Sequence, residues 1–298
     1  MNVPEAYRQL KNQLTEAGIE DAGLEADLLL RHVCRKGRFD LDTVTGSQWA
    51  ELEALAARRT ARTPLQYLLG SWAFLDLEIL VGPGVLVPRP ETEEVCLAAA
   101  SFIEGRVDAV ALDLCAGSGA IALGLQSRAP GAQITAVELD TAAFGWLTRN
   151  LAAFAEARSQ APNVPKAVQA DALTYFTELA DGSLDLIVSN PPYVTENEYA
   201  ALAPEVHAEP KRALVPQDAP GPDDGLLFYR VIAQNYHAKL KPGGRLVFEI
   251  GAGQGGAVRG ILEAAGYTGV EIRPDMAGHD RIAMAARPPA CSQGRGGV

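Results

Sequence analysis

The chain has 298 residues, 48% of them hydrophobic and 21% charged, with a formal net charge of −11. That is enough apolar material for one large core and a smaller one, which excludes a disordered or fibrous polypeptide. The acidic balance repels a phosphate backbone and argues against a general DNA or RNA binder, leaving room only for a local basic patch.

Up to about Ala73 the apolar residues recur at helical spacing: Leu10 with Leu14, Leu24 with Leu28 and Leu29, Trp49 with Leu52 and Leu55. Gly18 and Gly37 separate these groups, and Ser47 stands where an N-cap would begin the third. The spacing predicts a small helical domain over residues 1–73. The opening stretch, MNVPEAYRQLKNQL, is amphipathic and lacks the apolar centre of a signal peptide. No later stretch approaches the roughly eighteen uninterrupted apolar residues of a membrane span. Cys34, Cys96, Cys115 and Cys291 form no CxxC pair and have no zinc-type spacing with His32, His207, His237 or His279. Reduced thiols, no metal, no membrane contact and a cytoplasmic location are therefore expected.

Between residues 74 and 88, the alternating Leu77, Ile79 and Val81, the turn Gly82-Pro83-Gly84 and the apolar run Val85 to Val87 predict a β-hairpin linker. The following PRPETEE cannot enter a helix before Pro90, and its acidic residues then suit a first helical turn. From about Val107 strands and helices alternate. DAVALDL, QITAVELD, KAVQAD, LDLIVSN, GRLVFEIG, GVEIRPD and RIAMAAR read as strands; AIALGLQSRA, TAAFGWLTRNLAAFAEA, GLLFYRVIAQNYHAKL and VRGILEAAG read as helices. The alternation predicts an α/β domain over residues 89–287, a doubly wound, mainly parallel sheet with helices on both faces, followed by a disordered tail, 288–298.

In such a sheet ligands gather beyond the carboxyl ends of the strands, so the residues just after strands carry the chemistry. DLCAGSGA passes from strand to helix; Asp113, Cys115, Ala116, Gly117, Ser118 and Gly119 form a glycine turn against which a ligand can lie. Alone, such a turn is as often only a turn. Glu138 ends the next strand about twenty residues later, where a carboxylate accepts from both hydroxyls of a ribose. The third glycine of a dinucleotide fingerprint is missing, which favours a nucleoside ligand without a pyrophosphate. Asp171, followed by Ala172, ends the third strand and either accepts from an adenine amino group or is a solvated loop carboxylate. Asn190-Pro191-Pro192-Tyr193 ends the fourth. There the Asn190 side-chain oxygen and the Pro191 carbonyl are two acceptors on a rigid corner, suited to the two hydrogens of an NH₂ group, and Tyr193 adds a ring face for a planar amide or a positive methyl.

Together the glycine turn, the acidic strand end and NPPY resemble the class I S-adenosylmethionine-dependent methyltransferases that act on planar nitrogens. More narrowly, the chain resembles the HemK/PrmC family through TPLQYLLG, VLVPRPETE, DLCAGSGAIAL, VSNPPYV, EPKRAL, DDGLLFY and FEIGAGQG. The resemblance implies a seven-stranded Rossmann-like methyltransferase sheet, S-adenosyl-L-methionine as donor and S-adenosyl-L-homocysteine as product. It also implies, as substrate, the Gly-Gly-Gln glutamine of class I peptide chain release factors, with no direct nucleic-acid partner. Cofactor binding then falls to residues Asp113 to Gly119 other than Leu114, with Glu138, Asp171, Ala172 and Asn190; catalysis falls to Asn190, Pro191, Pro192 and Tyr193. The helical domain takes the role of substrate recognition. Two positions depart from the family: Cys115 replaces the first glycine of the turn, and Ala172 stands where an aromatic residue often follows the acid. Two other readings compete: an amino methyltransferase acting on adenine or cytosine in nucleic acid, and a nonenzymatic adenosylmethionine-binding module. The absence of a basic groove weakens the first, and the amine-accepting NPPY corner the second.

Overall fold

In a computed structural model, residues 1–37, 39, 42–158, 163–216 and 222–290 are described. The chain divides into two compact units, one of residues 1–72, 81–83 and 202–209 and one containing the rest.

The smaller unit is built on α1 (Val3–Glu16), α2 (Ala22–Cys34), α3 (Gly46–Thr60) and the short α4 (Leu65–Leu69). Leu10, Leu14, Leu29 and Leu52 are fully buried at its centre, whereas Leu24, although it shares their periodicity, is 60% exposed. The third helix begins two residues earlier than its sequence suggests. Thr45, not Ser47, is the N-cap: its hydroxyl accepts from Gln48 N–H at 3.2 Å while the Gln48 side chain accepts from Thr45 N–H at 2.9 Å. This reciprocal pair satisfies two orphan donors, which a serine inside the helix cannot do. Arg59 is buried and chelated by Glu25, with Nε to Oε2 at 2.6 Å, and it also reaches Glu205 at 3.1 Å. Arg62 holds the same Glu205 at 2.8 Å, so residues 202–209 join this unit through charge.

The two-stranded sheet pairs β1 (Ser71–Phe74) with β2 (Leu77–Leu80). The hairpin thus lies earlier than expected, turning at Leu75, whose φ is +54°, rather than at Gly82-Pro83-Gly84. Val85 to Val87 form no strand; Pro83 and Pro88 flank them and offer no N–H to a ladder. In the larger unit, α5 (Pro90–Ala100) starts with its proline at N1 and Glu91 and Glu93 in its first turn. Then come β3 (Val110–Leu114), α6 (Ala120–Arg128), β4 (Gln133–Glu138), α7 (Thr141–Ala157), β5 (Lys166–Gln169), β6 (Leu184–Ser189), α8 (Glu196–Ala200), α9 (Leu227–Tyr236), β7 (Leu240–Glu249), α10 (Gly255–Ala264), β8 (Thr268–Pro274) and β9 (Asp280–Ala286).

The seven strands are ordered β5-β4-β3-β6-β7-β9-β8, parallel except for β9, which runs antiparallel to both its neighbours. All six residues of β6 are buried, so the sheet is covered on both faces, as its near-continuous hydrophobic run requires. From β3 the chain winds outward through β4 to β5 and then crosses back to β6 on the other side of β3. That reversal leaves a crevice at the carboxyl ends of β3 and β6, and the glycine turn and NPPY are the segments that follow those two strands. No described helix is long and apolar enough to cross a membrane. Of the expected tail, residues 291–298, including Cys291, lie outside the described residues.

Candidate active site

Beyond β3 the backbone takes three left-handed steps, at Cys115 (φ +60°), Gly117 (+54°) and Gly119 (+83°). Glycine suits position 119 because φ is +83° and a Cβ there would lie 2.5 Å from Leu147 Cδ1, which would have to move. Cys115 adopts a conformation that costs most L-residues about 1–2 kcal/mol. Burial, with the nearby Glu138 charge adding to it, pushes its thiol well above the ordinary range, so the sulfur stays neutral. Asp113 lies under the turn, fully buried. Its Oδ2 accepts from Ala122 N–H at 3.0 Å in the first turn of α6, and Oδ1 is buried without a partner. Burial raises this carboxyl to about 8, so it is mostly protonated at neutral pH.

Glu138 holds the turn from the side. Its Oε2 accepts from Gly117 N–H at 2.8 Å and its Oε1 from Asp140 N–H at 2.7 Å. Burial raises its pKa against the opposing effect of these bonds. Each oxygen keeps a further lone pair for a ligand. Asp140 in turn caps α7, accepting from Ala142 and Ala143 N–H. Asp171 uses Oδ1 to accept from Leu173 N–H at 2.8 Å, which shapes the loop after β5.

A cleft open to solvent lies along these strand ends. Cys115, Gly117, Glu138, Asp171, Ala172, Asn190 and Pro192 line it together. Asp113, Ala116, Ser118, Gly119, Pro191 and Tyr193 are not on its wall. Asp113 and Gly119 build the turn from behind; Ala116 N–H reaches the Val137 carbonyl at 3.0 Å, and the Ser118 carbonyl accepts from Asn150 Nδ2 at 2.9 Å. Pro191 and Tyr193 lie in the corner that Asn190 begins.

The cleft also uses residues that sequence reasoning passed over. Gly84, read as part of a turn, and Val85 and Leu86, read as a strand, are wall instead, and Leu139 and Phe228 contribute apolar surface. Phe228 supplies an aromatic ring, which Ala172 cannot. Its signal was present in DDGLLFY, but nothing in a helix-forming stretch marks which aromatic faces a ligand.

The NPPY corner is braced from several elements. Asn190 Nδ2 donates to Thr92 Oγ1 at 3.2 Å, and Thr92 Oγ1 donates to Glu249 Oε2 at 2.6 Å. The Tyr193 hydroxyl donates to Glu249 Oε1 over a long 3.4 Å, and its carbonyl accepts from Gln254 Nε2 at 3.1 Å. Burial, then the Glu249 charge, holds the Tyr193 phenol well above its usual range. Gly225 packs so closely beneath that a Cβ would stand 2.1 Å from the Tyr193 carbonyl oxygen.

Residues 5–70 match the family model described as PrmC N-terminal domain, and residues 68–216 match one described as conserved hypothetical protein 95. The release factor glutamine methyltransferase of Cereibacter sphaeroides is 38% identical, with 97% of this chain and all of the relative aligned. That of Vibrio cholerae is 37% identical over 95% of this chain and 96% of its own. Among solved structures, a methyltransferase from Pyrococcus furiosus superposes with a TM-score of 0.50 at 18% identity, covering 82% of this chain and 100% of that one, which bears on the fold alone. With relatives of this similarity aligned over nearly its whole length, the chain belongs to the release factor glutamine methyltransferase family.

Proposed function

We propose that this protein transfers a methyl group from S-adenosyl-L-methionine to the side-chain amide nitrogen of the Gly-Gly-Gln glutamine in class I peptide chain release factors. The observation that carries the reading is that Asn190, on its proline-stiffened corner, lines the same cleft as Gly117, Glu138 and Asp171. A nucleoside-bearing donor fits these residues: the glycine turn admits close approach, Glu138 retains acceptor capacity for ribose hydroxyls, and Phe228 and Leu139 offer apolar wall. When bound, the sulfonium supplies an electrophilic methyl group.

The protein's own task is to make a poor nucleophile react. An amide nitrogen has its lone pair delocalised into the carbonyl, and positive charge develops on it as the new bond forms. Asn190 Oδ1 and the Pro191 carbonyl accept its two N–H groups, which orients the nitrogen and stabilises that charge. Two consecutive prolines keep the acceptors from relaxing away. The methyl–sulfur bond breaks as the methyl–nitrogen bond forms, which would leave a neutral thioether and a cationic, N-protonated N-methylamide; the neutral thiol of Cys115 and the high-pKa phenol of Tyr193 are unsuited to act as bases near neutrality, so that strongly acidic cation releases its proton to water. A lone glutamine side chain offers little surface, so selection of one glutamine requires contacts elsewhere on the release factor. We assign that recognition to the helical unit.

Mass spectrometry of the Gly-Gly-Gln peptide, from unmethylated release factor incubated with the protein and S-adenosylmethionine, tests the reading. One added methyl on glutamine, absent with Asn190→Ala, is expected. Cofactor binding without that product would overturn it and redirect the assay to nucleic-acid amines.

A further inference from the structure

We infer that Thr92 and Glu249 are positioning residues that fix which way the Asn190 carboxamide faces, and so make the cleft selective for an NH₂ donor. The inference rests on the proposed glutamine reaction for its kinetic meaning and on hydrogen-bond arithmetic for its structure.

A threonine hydroxyl has one proton and two lone pairs. Thr92 directs that proton to Glu249 Oε2 at 2.6 Å, a short, charge-assisted bond between two groups that are 5% and 2% exposed. Only lone pairs then remain for Asn190, 3.2 Å away, so the group facing Thr92 has to be the NH₂ and not the carbonyl. A carboxamide is planar, with its nitrogen and oxygen on opposite sides. Tying Nδ2 to Thr92 therefore leaves Oδ1 for the cleft, where it is an acceptor for an incoming N–H. Reversing the chain would present NH₂ to the substrate's NH₂, donor against donor. An unbraced asparagine would fit an amide oxygen or a carboxylate as readily as an amine.

The acceptor-only character of ionised Glu249 enforces this polarity. Tyr193 completes the shell by donating to its other oxygen at 3.4 Å, and Tyr229 donates to the Glu249 carbonyl at 3.0 Å. Arg281 on β9 faces the pair, with Nη1 3.5 Å from the Tyr193 hydroxyl, and is itself held by Asp275 at 3.2 Å. The residues come from α5, the corner after β6, the end of β7 and β9, so the motifs PRPETE, NPPY and FEIG converge on one side-chain orientation.

Glu249 titrates within the working range. Burial raises its carboxyl to about 7, with Glu91 adding to the effect, while the Thr92 bond, Arg281 and the Tyr193 bond oppose it. When protonated it can donate to Thr92, whose own proton is then free to turn toward Asn190 Oδ1. The oriented state thus grows as pH rises through this value.

The test uses the full chain in two arms. In the first, steady-state transfer to the release factor is measured against pH. Glu249→Gln and Thr92→Val should lower kcat about ten-fold, the scale of a buried donor losing its acceptor. Cofactor affinity should stay within about two-fold, since neither residue lines the cleft. Thr92→Ser should recover most of the turnover, and the rise of kcat with pH near Glu249's ionisation should vanish in Glu249→Gln. In the second, the protein is labelled with ¹⁵N-asparagine and the Asn190 side-chain NH₂ signal, identified by its loss in Asn190→Asp, is followed without substrate. It should shift in Thr92→Val, return in Thr92→Ser, and titrate with pH in the wild type and Thr92→Ser but not in Glu249→Gln. An Asn190 signal indifferent to Thr92 and to pH, or unchanged kcat and pH profile in Glu249→Gln, would overturn the inference. A wild type inactive on glutamine would instead count against the proposed reaction, leaving the labelled-amide arm to decide the orientation.

Discussion

Glu138→Gln preserves volume and shape, yet the structure predicts that it behaves as a disruptive substitution. Both carboxylate oxygens already accept backbone N–H groups, from Gly117 at 2.8 Å and from Asp140 at 2.7 Å. A carboxyl group, ionised or protonated, keeps a lone pair for each donor. A carboxamide has one acceptor and must turn its NH₂ against the other N–H. An unmatched buried donor costs about 1–3 kcal/mol. In a unit of this size each kcal/mol moves Tm by roughly 2–4 °C, so the midpoint should fall by about 2–12 °C. One effect opposes this loss. The folded pKa of Glu138 is raised from 4.5 by burial, so its favourable contribution is complete below that value and is lost as pH rises through the folded pKa. Glutamine lacks that slope; its deficit should be greatest in acid and shrink toward alkaline pH. Cofactor affinity should also weaken by about 1.5–3 kcal/mol, roughly ten- to more than hundred-fold, as the charged acceptor for the ribose is lost. Thermal unfolding at several pH values and calorimetric titration with S-adenosylhomocysteine read both effects. A Tm within about one degree of wild type, together with affinity within about three-fold, would refute the assignment of Glu138 as a fully engaged acceptor.

Gly225→Ala should cost about 2–4 kcal/mol, because a Cβ at φ +67° would meet the Tyr193 carbonyl at 2.1 Å and Gln254 Nε2 at 2.8 Å. Since the corner must move to admit it, kcat should drop more than cofactor affinity, and equal loss of both would count against that account. Asp113→Asn removes a carboxyl whose folded pKa is about 8 rather than 3.8, so the variant should gain on wild type from about pH 4 up to about pH 8 and hold level above it. Parallel Tm curves across that range would contradict the buried, protonated acid. In the smaller unit, Arg59→Met strands Glu25 at the cost of about 2–4 kcal/mol and leaves Glu205 to Arg62 alone. Hydrogen exchange should accelerate across Leu202–Glu209 once Arg62→Met is added, and unchanged protection in that double variant would dismiss the charge tie.

Much of this molecule is legible in its sequence because periodicity is local. A run such as LDLIVS, apolar and too short for a core helix, reads as a buried strand, and Pro90 ahead of acidic residues reads as a helix start. The glycine turn, Glu138, Asp171 and Asn190 were legible for a related reason. A parallel sheet puts every strand's carboxyl end on one edge, so position along the chain predicts proximity in space. Cys115, in place of the first glycine, takes a left-handed conformation there.

The hairpin was misplaced because apolar alternation cannot distinguish a ladder from a wall. Val85 and Leu86 have the composition of a strand but sit between prolines and face the cleft. Thr45 outcompeted Ser47 as a cap because the choice depended on Gln48 folding back, a matter of backbone direction rather than composition. Sequence alone therefore determined most element types, the α/β class and which strand ends share one edge of the sheet, since each follows from spacing within a few residues. Only the tertiary structure decided that Phe228 supplies the aromatic wall, that Asp113 lies behind the turn, and that Thr92 and Glu249, 157 residues apart, meet beside Asn190. Those contacts join separate elements, and no periodicity along the chain encodes the distance between them.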